Sequence, residues 1–66
     1  MIYLICREYR LEKKVKQCEI GDVKNISGFE NGRSTNIKHF ESYLDLAYKL
    51  NDLDYFFNKI KEHKND

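Results

Sequence analysis

The chain has 66 residues, a length that admits a single domain burying only about 60% of its unfolded surface. With 41% hydrophobic and 35% charged residues and no apolar run near the roughly 18 positions a spanning helix needs, the composition excludes a membrane-spanning protein. Twelve Lys and Arg against eleven Asp and Glu leave a net charge of +1, which removes the simplest argument for a polyanionic partner.

The opening Met1-Ile2-Tyr3-Leu4-Ile5-Cys6-Arg7 has no basic segment before its apolar run and no small-residue cleavage site after it, so it does not read as a signal peptide. A cytoplasmic location with Cys6 and Cys18 reduced is the expectation. Residues 2–6 are apolar on both faces, as in an interior strand. Residues 7–20 admit two readings. One is a helix from Arg7 to Lys16, with Leu11, Val15 and Cys18 on one stripe and Glu12 supporting Lys16. The other, favoured by the alternation of Tyr3, Ile5, Tyr9 and Leu11, is a hairpin turning at Glu12-Lys13 with strands of about 2–10 and 14–20. One register of that hairpin sets Cys6 opposite Cys18 at a spacing where a disulfide closes under oxidation.

Asn31-Gly32 is the dipeptide favoured in two-residue type I′ turns. It predicts a hairpin of residues 23–30 and 33–40, pairing Glu30 with Arg33, Ile26 with Ile37 and Val23 with Phe40. Gly28 inside the first strand weakens it or marks a bulge. Ser42-Tyr43-Leu44-Asp45 fits a capping box, so a helix is expected to start at Tyr43. Leu46, Leu50, Leu53, Phe57 and Ile60 then form one apolar stripe. Asn51-Asp52 interrupts it, leaving either one kinked helix of about 43–62 or two short helices. The expected fold is therefore α+β: a small antiparallel sheet of three to four strands, in two hairpins, with a C-terminal helix or helix pair packed on one face. Residues 1–66 form one domain, with 63–66 as a frayed tail.

No metal or cofactor is expected. His39 and His63 have no Cys or acidic partner at ligand spacing, and Cys6 and Cys18 are twelve apart, unlike the close pairs of zinc sites. Gly32-Arg33-Ser34-Thr35 lacks the glycine spacing and lysine of a phosphate loop. No nucleophile stands beside a base, so an enzyme is not expected, and a nuclease using His39 or His63 is a remote third reading.

Two surfaces remain. Arg7, Arg10, Lys13, Lys14 and Lys16 set five basic residues against Glu8 and Glu12, a local charge of +3, and with Tyr3 and Tyr9 they suggest nucleic-acid contact. On a continuous C-terminal helix, Leu44, Tyr48 and Tyr55 fall opposite the core stripe, and tyrosine is enriched at protein interfaces. The favoured expectation is a non-enzymatic protein-binding module, acting on another protein or on a second copy. Its Asn-, Lys- and Ile-rich composition suits a regulator or inhibitor of a host protein encoded by a phage or mobile element. The alternative is a small nucleic-acid-binding protein using residues 7–16.

Overall fold

Buried side chains recur at helical spacing along the whole chain. Ile5, Cys6, Tyr9 and Arg10 are buried at its start and Ile26, Phe29 and Glu30 further on, which is the one-face pattern of a 3.6-residue period. The computed structural model describes residues 2–34 and 36–64, the side chains of 63 and 64 excepted. Its elements are α1 (Ile2–Glu12), α2 (Gln17–Ile20), α3 (Val23–Glu30), α4 (Ile37–Lys49) and α5 (Leu53–Lys64). Among the described residues there is no strand, which corrects the expected α+β fold and its sheet. Of the expected frayed tail at 63–66, residues 63 and 64 close α5 and 65–66 lie outside the described residues.

In α1 the supposed strand face divides. Ile5 and Tyr9 point inward, whereas Leu11 is 54% exposed. The helix ends at Glu12, and Lys14 takes a left-handed φ of 58°, so the alternative stripe of Leu11, Val15 and Cys18 does not form either. Cys6 is buried on α1, Cys18 is exposed on α2, and both thiols are free. Without the hairpin, no geometry favours joining them.

Asn31-Gly32 ends a helix rather than turning a hairpin. A type I′ turn needs positive φ at both positions, but Asn31 has φ −94° and only Gly32, at 77°, is left-handed. The Arg33 amide then donates to the Gly28 carbonyl at 2.9 Å and the Gly32 amide to Phe29 at 3.0 Å, the pattern of a left-handed C-terminal cap. A Cβ at Gly32 would also lie 2.9 Å from Cζ at the outer end of the Tyr3 side chain, which would have to shift. The predicted pairs of Val23, Ile26 and Glu30 with Phe40, Ile37 and Arg33 are absent, and Ile37 is 66% exposed.

α4 begins at Ile37, six residues before the expected start at Tyr43, because Asn36 Oδ1 accepts from the Lys38 amide at 3.0 Å and so caps it. Ser42 lies inside the helix and donates to the Lys38 carbonyl. Of the two readings of the C-terminal half, the structure has two helices: α4 stops at Leu50, and Asn51 takes a φ of 55°. That break rotates the apolar stripe. Leu46, Leu53 and Ile60 pack on the core, while Leu50 and Phe57 are exposed. The core is built instead from Cys6, Tyr9, Ile26, Phe29, Tyr43, Ala47 and Phe56, with the Tyr9 and Phe56 rings 4.8 Å apart.

A buried ion pair crosses this core. Arg10 donates to Glu30 through Nε at 2.7 Å and through a terminal nitrogen at 3.0 Å. Tyr43 and Gln17 donate to the same carboxylate, and Arg10 also donates to the Val15 carbonyl at 3.0 Å. Burial pushes the Glu30 carboxyl up, but the hydrogen bonds from Arg10, Tyr43 and Gln17 outweigh it and hold the group below its ordinary value of 4.5.

Removing one partner of a buried pair leaves the other charge stranded, so Glu30→Ala is expected to destabilise the domain by about 3–5 kcal/mol in denaturant unfolding. That is comparable to the whole stability of a chain this size. The depressed Glu30 value also means that its contribution is complete above 4.5 and is lost as pH falls through the folded value. Thermal unfolding followed by circular dichroism is expected to give a Tm that is flat near neutrality and drops in acid.

Candidate nucleic-acid interface

The five basic residues singled out in the sequence take different roles. Arg10 is committed to Glu30 and is unavailable to a partner. Lys13 pairs with Asp52 at 2.8 Å and lies 5.1 Å from the Tyr55 ring centroid. Arg7, Lys14 and Lys16 are exposed and, among the described residues, make no ion pair. The basic segment is thus split, with Lys14 and Lys16 placed in the link that leads into α2.

Beyond that link the chain forms a four-residue helix, passes through Gly21 and Asp22, and enters the eight-residue α3. The pair is held from beneath. Ile20 packs on the core, Ile26 is buried and lies within van der Waals reach of a Cβ built on Gly21, and Gln17 joins Glu30 at 3.2 Å. Glu19 accepts from the Lys16 amide at 2.7 Å, closing the first turn of α2. With Ile26, Phe29 and Glu30 inward, the helical period sets Lys24, Gly28 and Asn31 on the opposite side, flanked by Asn25 and Ser27. Lys24, Asn25 and Asn31 are exposed. Arg33 is exposed just past the end of α3 and, like Lys24, makes no ion pair among the described residues. Sequence reasoning misses this face because it assigns residues 23–30 to a strand. The signal available is the i, i+3, i+4 spacing of Ile26, Phe29 and Glu30 around polar neighbours.

Gly28 stands out on that face. A Cβ there would meet nothing within 4 Å, and its φ is not left-handed, so neither space nor backbone conformation requires glycine. In a helix interior it costs about 1 kcal/mol relative to alanine.

Leu44, Tyr48 and Tyr55 do not form one ridge. Leu44 packs against the core. Tyr55 donates to Glu12 at 2.6 Å and faces the Tyr9 ring at 6.2 Å, in a cluster where Lys59 also reaches Glu12 at 2.8 Å. Tyr48, at 73% exposure, projects as expected, and Tyr55, although tied to Glu12, is still 43% exposed. His39 packs edge-on to Phe29 with ring centroids 6.0 Å apart, and the side chain of His63 lies outside those described. Among the described residues no three His, Cys, Asp or Glu side chains converge as metal ligands, and no helix is long and apolar enough to cross a membrane. A hollow of about 540 Å³ on α5 is lined by Asp54, Phe57, Asn58, Ile60 and Lys61. The chain matches no protein-family model, no curated protein and no solved structure.

Burial, with Glu30 adding to it, pushes the Cys6 thiol up to about 12, while Cys18 is exposed. Iodoacetamide at about pH 8, which reaches an exposed thiol far faster than a buried one, is expected to label Cys18 alone in the native protein. Peptide mapping should find Cys6 labelled only after denaturation.

Proposed function

We propose that α2 and α3 form a helix-turn-helix that binds double-stranded DNA, with α3 lying in the major groove. The observation that carries this reading is the helix pair itself. A short helix, a glycine-containing turn and a second helix are anchored through their apolar and buried faces, so that the second helix offers a polar surface outward. With its side chains an α-helix is about 10–12 Å across, which fits a major groove about 12 Å wide. The side chains it offers suit base edges: Asn25 and Asn31 carry the paired donor and acceptor that match adenine, and Lys24 donates to guanine. Lys14, Lys16 and Arg33, exposed at either end of the unit, supply the phosphate contacts that fix register. The near-zero net charge does not oppose this, because Glu30, Glu12 and Asp52 are paired locally with Arg10, Lys59 and Lys13, while Lys14, Lys16, Lys24 and Arg33 are exposed and make no ion pair among the described residues. The protein acts by binding and performs no reaction.

A second reading, contact with another protein or a second copy through α4, is favoured by the exposure of Tyr48 and Ile37. It is compatible with the first, and salt separates them, since an apolar contact lacks the steep salt dependence of phosphate neutralisation.

Selection from a randomised duplex pool is expected to yield a sequence-specific site. Substituting Lys24 or Asn25 by Ala is expected to cost about 1–3 kcal/mol in binding and to relax preference at the base contacted, whereas Lys14→Ala, Lys16→Ala and Arg33→Ala weaken all duplexes alike and lower the salt slope by about one each. Fluorescence polarisation across a salt series measures both. Equal binding of unrelated duplexes by the wild type and all five variants would contradict the proposal.

A further inference from the structure

We infer that Gly28 sets how closely α3 approaches DNA, so that the bare backbone at the centre of the α3 face is itself the contact with the groove floor. This rests on the helix-turn-helix reading and extends it to a residue with no functional side chain.

Three glycines occur in the chain. Gly32 is left-handed and crowded by the Tyr3 ring, whereas Gly21, with extended backbone at φ 176° and a Cβ position in ordinary contact with Ile26, lies in the turn between α2 and α3. Gly28 is the one inside a helix, and neither a left-handed φ nor crowding requires it there. It occupies a regular helical position where the Cβ of an alanine would meet nothing within 4 Å and where glycine weakens the helix. A residue that costs stability without serving packing is expected where another molecule must come close to the backbone.

The position supplies that molecule's chemistry. Gly28 is one turn from Lys24 and three residues from Asn31 on the outward stripe, with Asn25 and Ser27 at its sides. All four neighbours offer hydrogen-bond donors, and exposed Lys14, Lys16 and Arg33 lie at the two ends of the unit, outnumbering the exposed carboxylates Glu19 and Asp22 within it. The complement is a polyanion with acceptor-rich edges, as duplex DNA presents in its major groove. Asparagine and serine side chains are short, so they reach base edges only if the helix axis lies deep. A side chain at the centre of the stripe would lift that axis and carry Asn25, Ser27 and Asn31 away from the bases together. Lysine, with its longer stem, and the peripheral phosphate contacts would be affected least.

The test uses the full chain with Gly28→Ala and Gly28→Leu, both good helix formers. The probe is a duplex of about 20 base pairs, two turns of B-DNA, selected by the wild type from a randomised pool. Both variants are expected to keep or raise Tm, because the Cβ position is open. Gly28→Leu is expected to bind the selected duplex at least about tenfold more weakly, the loss of one or more base contacts, with Gly28→Ala intermediate. The slope of log affinity against log salt should stay that of the wild type, since phosphate contacts persist. Wild-type affinity in both variants would overturn the role of Gly28 while leaving the helix-turn-helix reading in place. A lowered Tm would overturn it too, by making the glycine structural. Failure of the wild type to select any duplex would overturn the underlying reading and this inference with it.

Discussion

The carboxylate of Glu30 is the point from which the domain is organised. A charge at 3% exposure is sustainable only when its lone pairs are filled. Here the donors come from three other helices: Arg10 from α1, Gln17 from α2 and Tyr43 from α4. Because Glu30 is the last residue of α3, satisfying it fixes the end of that helix against the rest of the bundle. An apolar cluster of the same volume would give similar stability, but it would tolerate rotation and sliding. Hydrogen bonds to a planar carboxylate do not. The network therefore serves orientation more than net stability, and the element it orients is the one with the polar outward face.

The second junction is of a different kind. Where α1 meets α5, Tyr9 and Lys13 share Asp52, and Tyr55 and Lys59 share Glu12. Much of this lies near water, so its charges are screened and add little; the underlying attachment is the packing of Tyr9 on Phe56. Its consequence is electrostatic sorting. Carboxylates at this junction hold Lys13 and Lys59 within the fold, whereas Lys14, Lys16, Lys24 and Arg33 stay exposed and, among the described residues, make no ion pair, with the exposed carboxylates Glu19 and Asp22 between them in the chain.

The C-terminal half is partly legible in the sequence. Asn51-Asp52 marks the break between α4 and α5, because asparagine enters the left-handed region more readily than most residues and does so here. The first half misleads for identifiable reasons. Ile2, Val23, Ile26 and their aromatic neighbours favour strands intrinsically, but that preference yields to packing, and the positions that pack are four or three apart. Asn-Gly serves both a tight hairpin and a helix end, since both use a left-handed residue. The hairpin needs two and the cap only one, and the dipeptide alone does not tell them apart. The Arg10–Glu30 pair spans twenty positions with no local pattern and becomes visible only once α1 and α3 are side by side. As a result, the basic segment is visible in the sequence but the separate roles of its members are not, and assigning residues 23–30 to a sheet hides the face of α3.

The open surroundings of Gly28 have a consequence for how such a protein changes over time. Positions on the outer stripe of α3 make few contacts with the core, so substitutions there leave the bundle intact while altering what the helix presents. Positions on the inner stripe, led by Glu30, admit almost no change. One short helix thus carries a fixed side and a variable side, and what α3 presents outward can be rewritten by evolution or by design without the scaffold having to adapt.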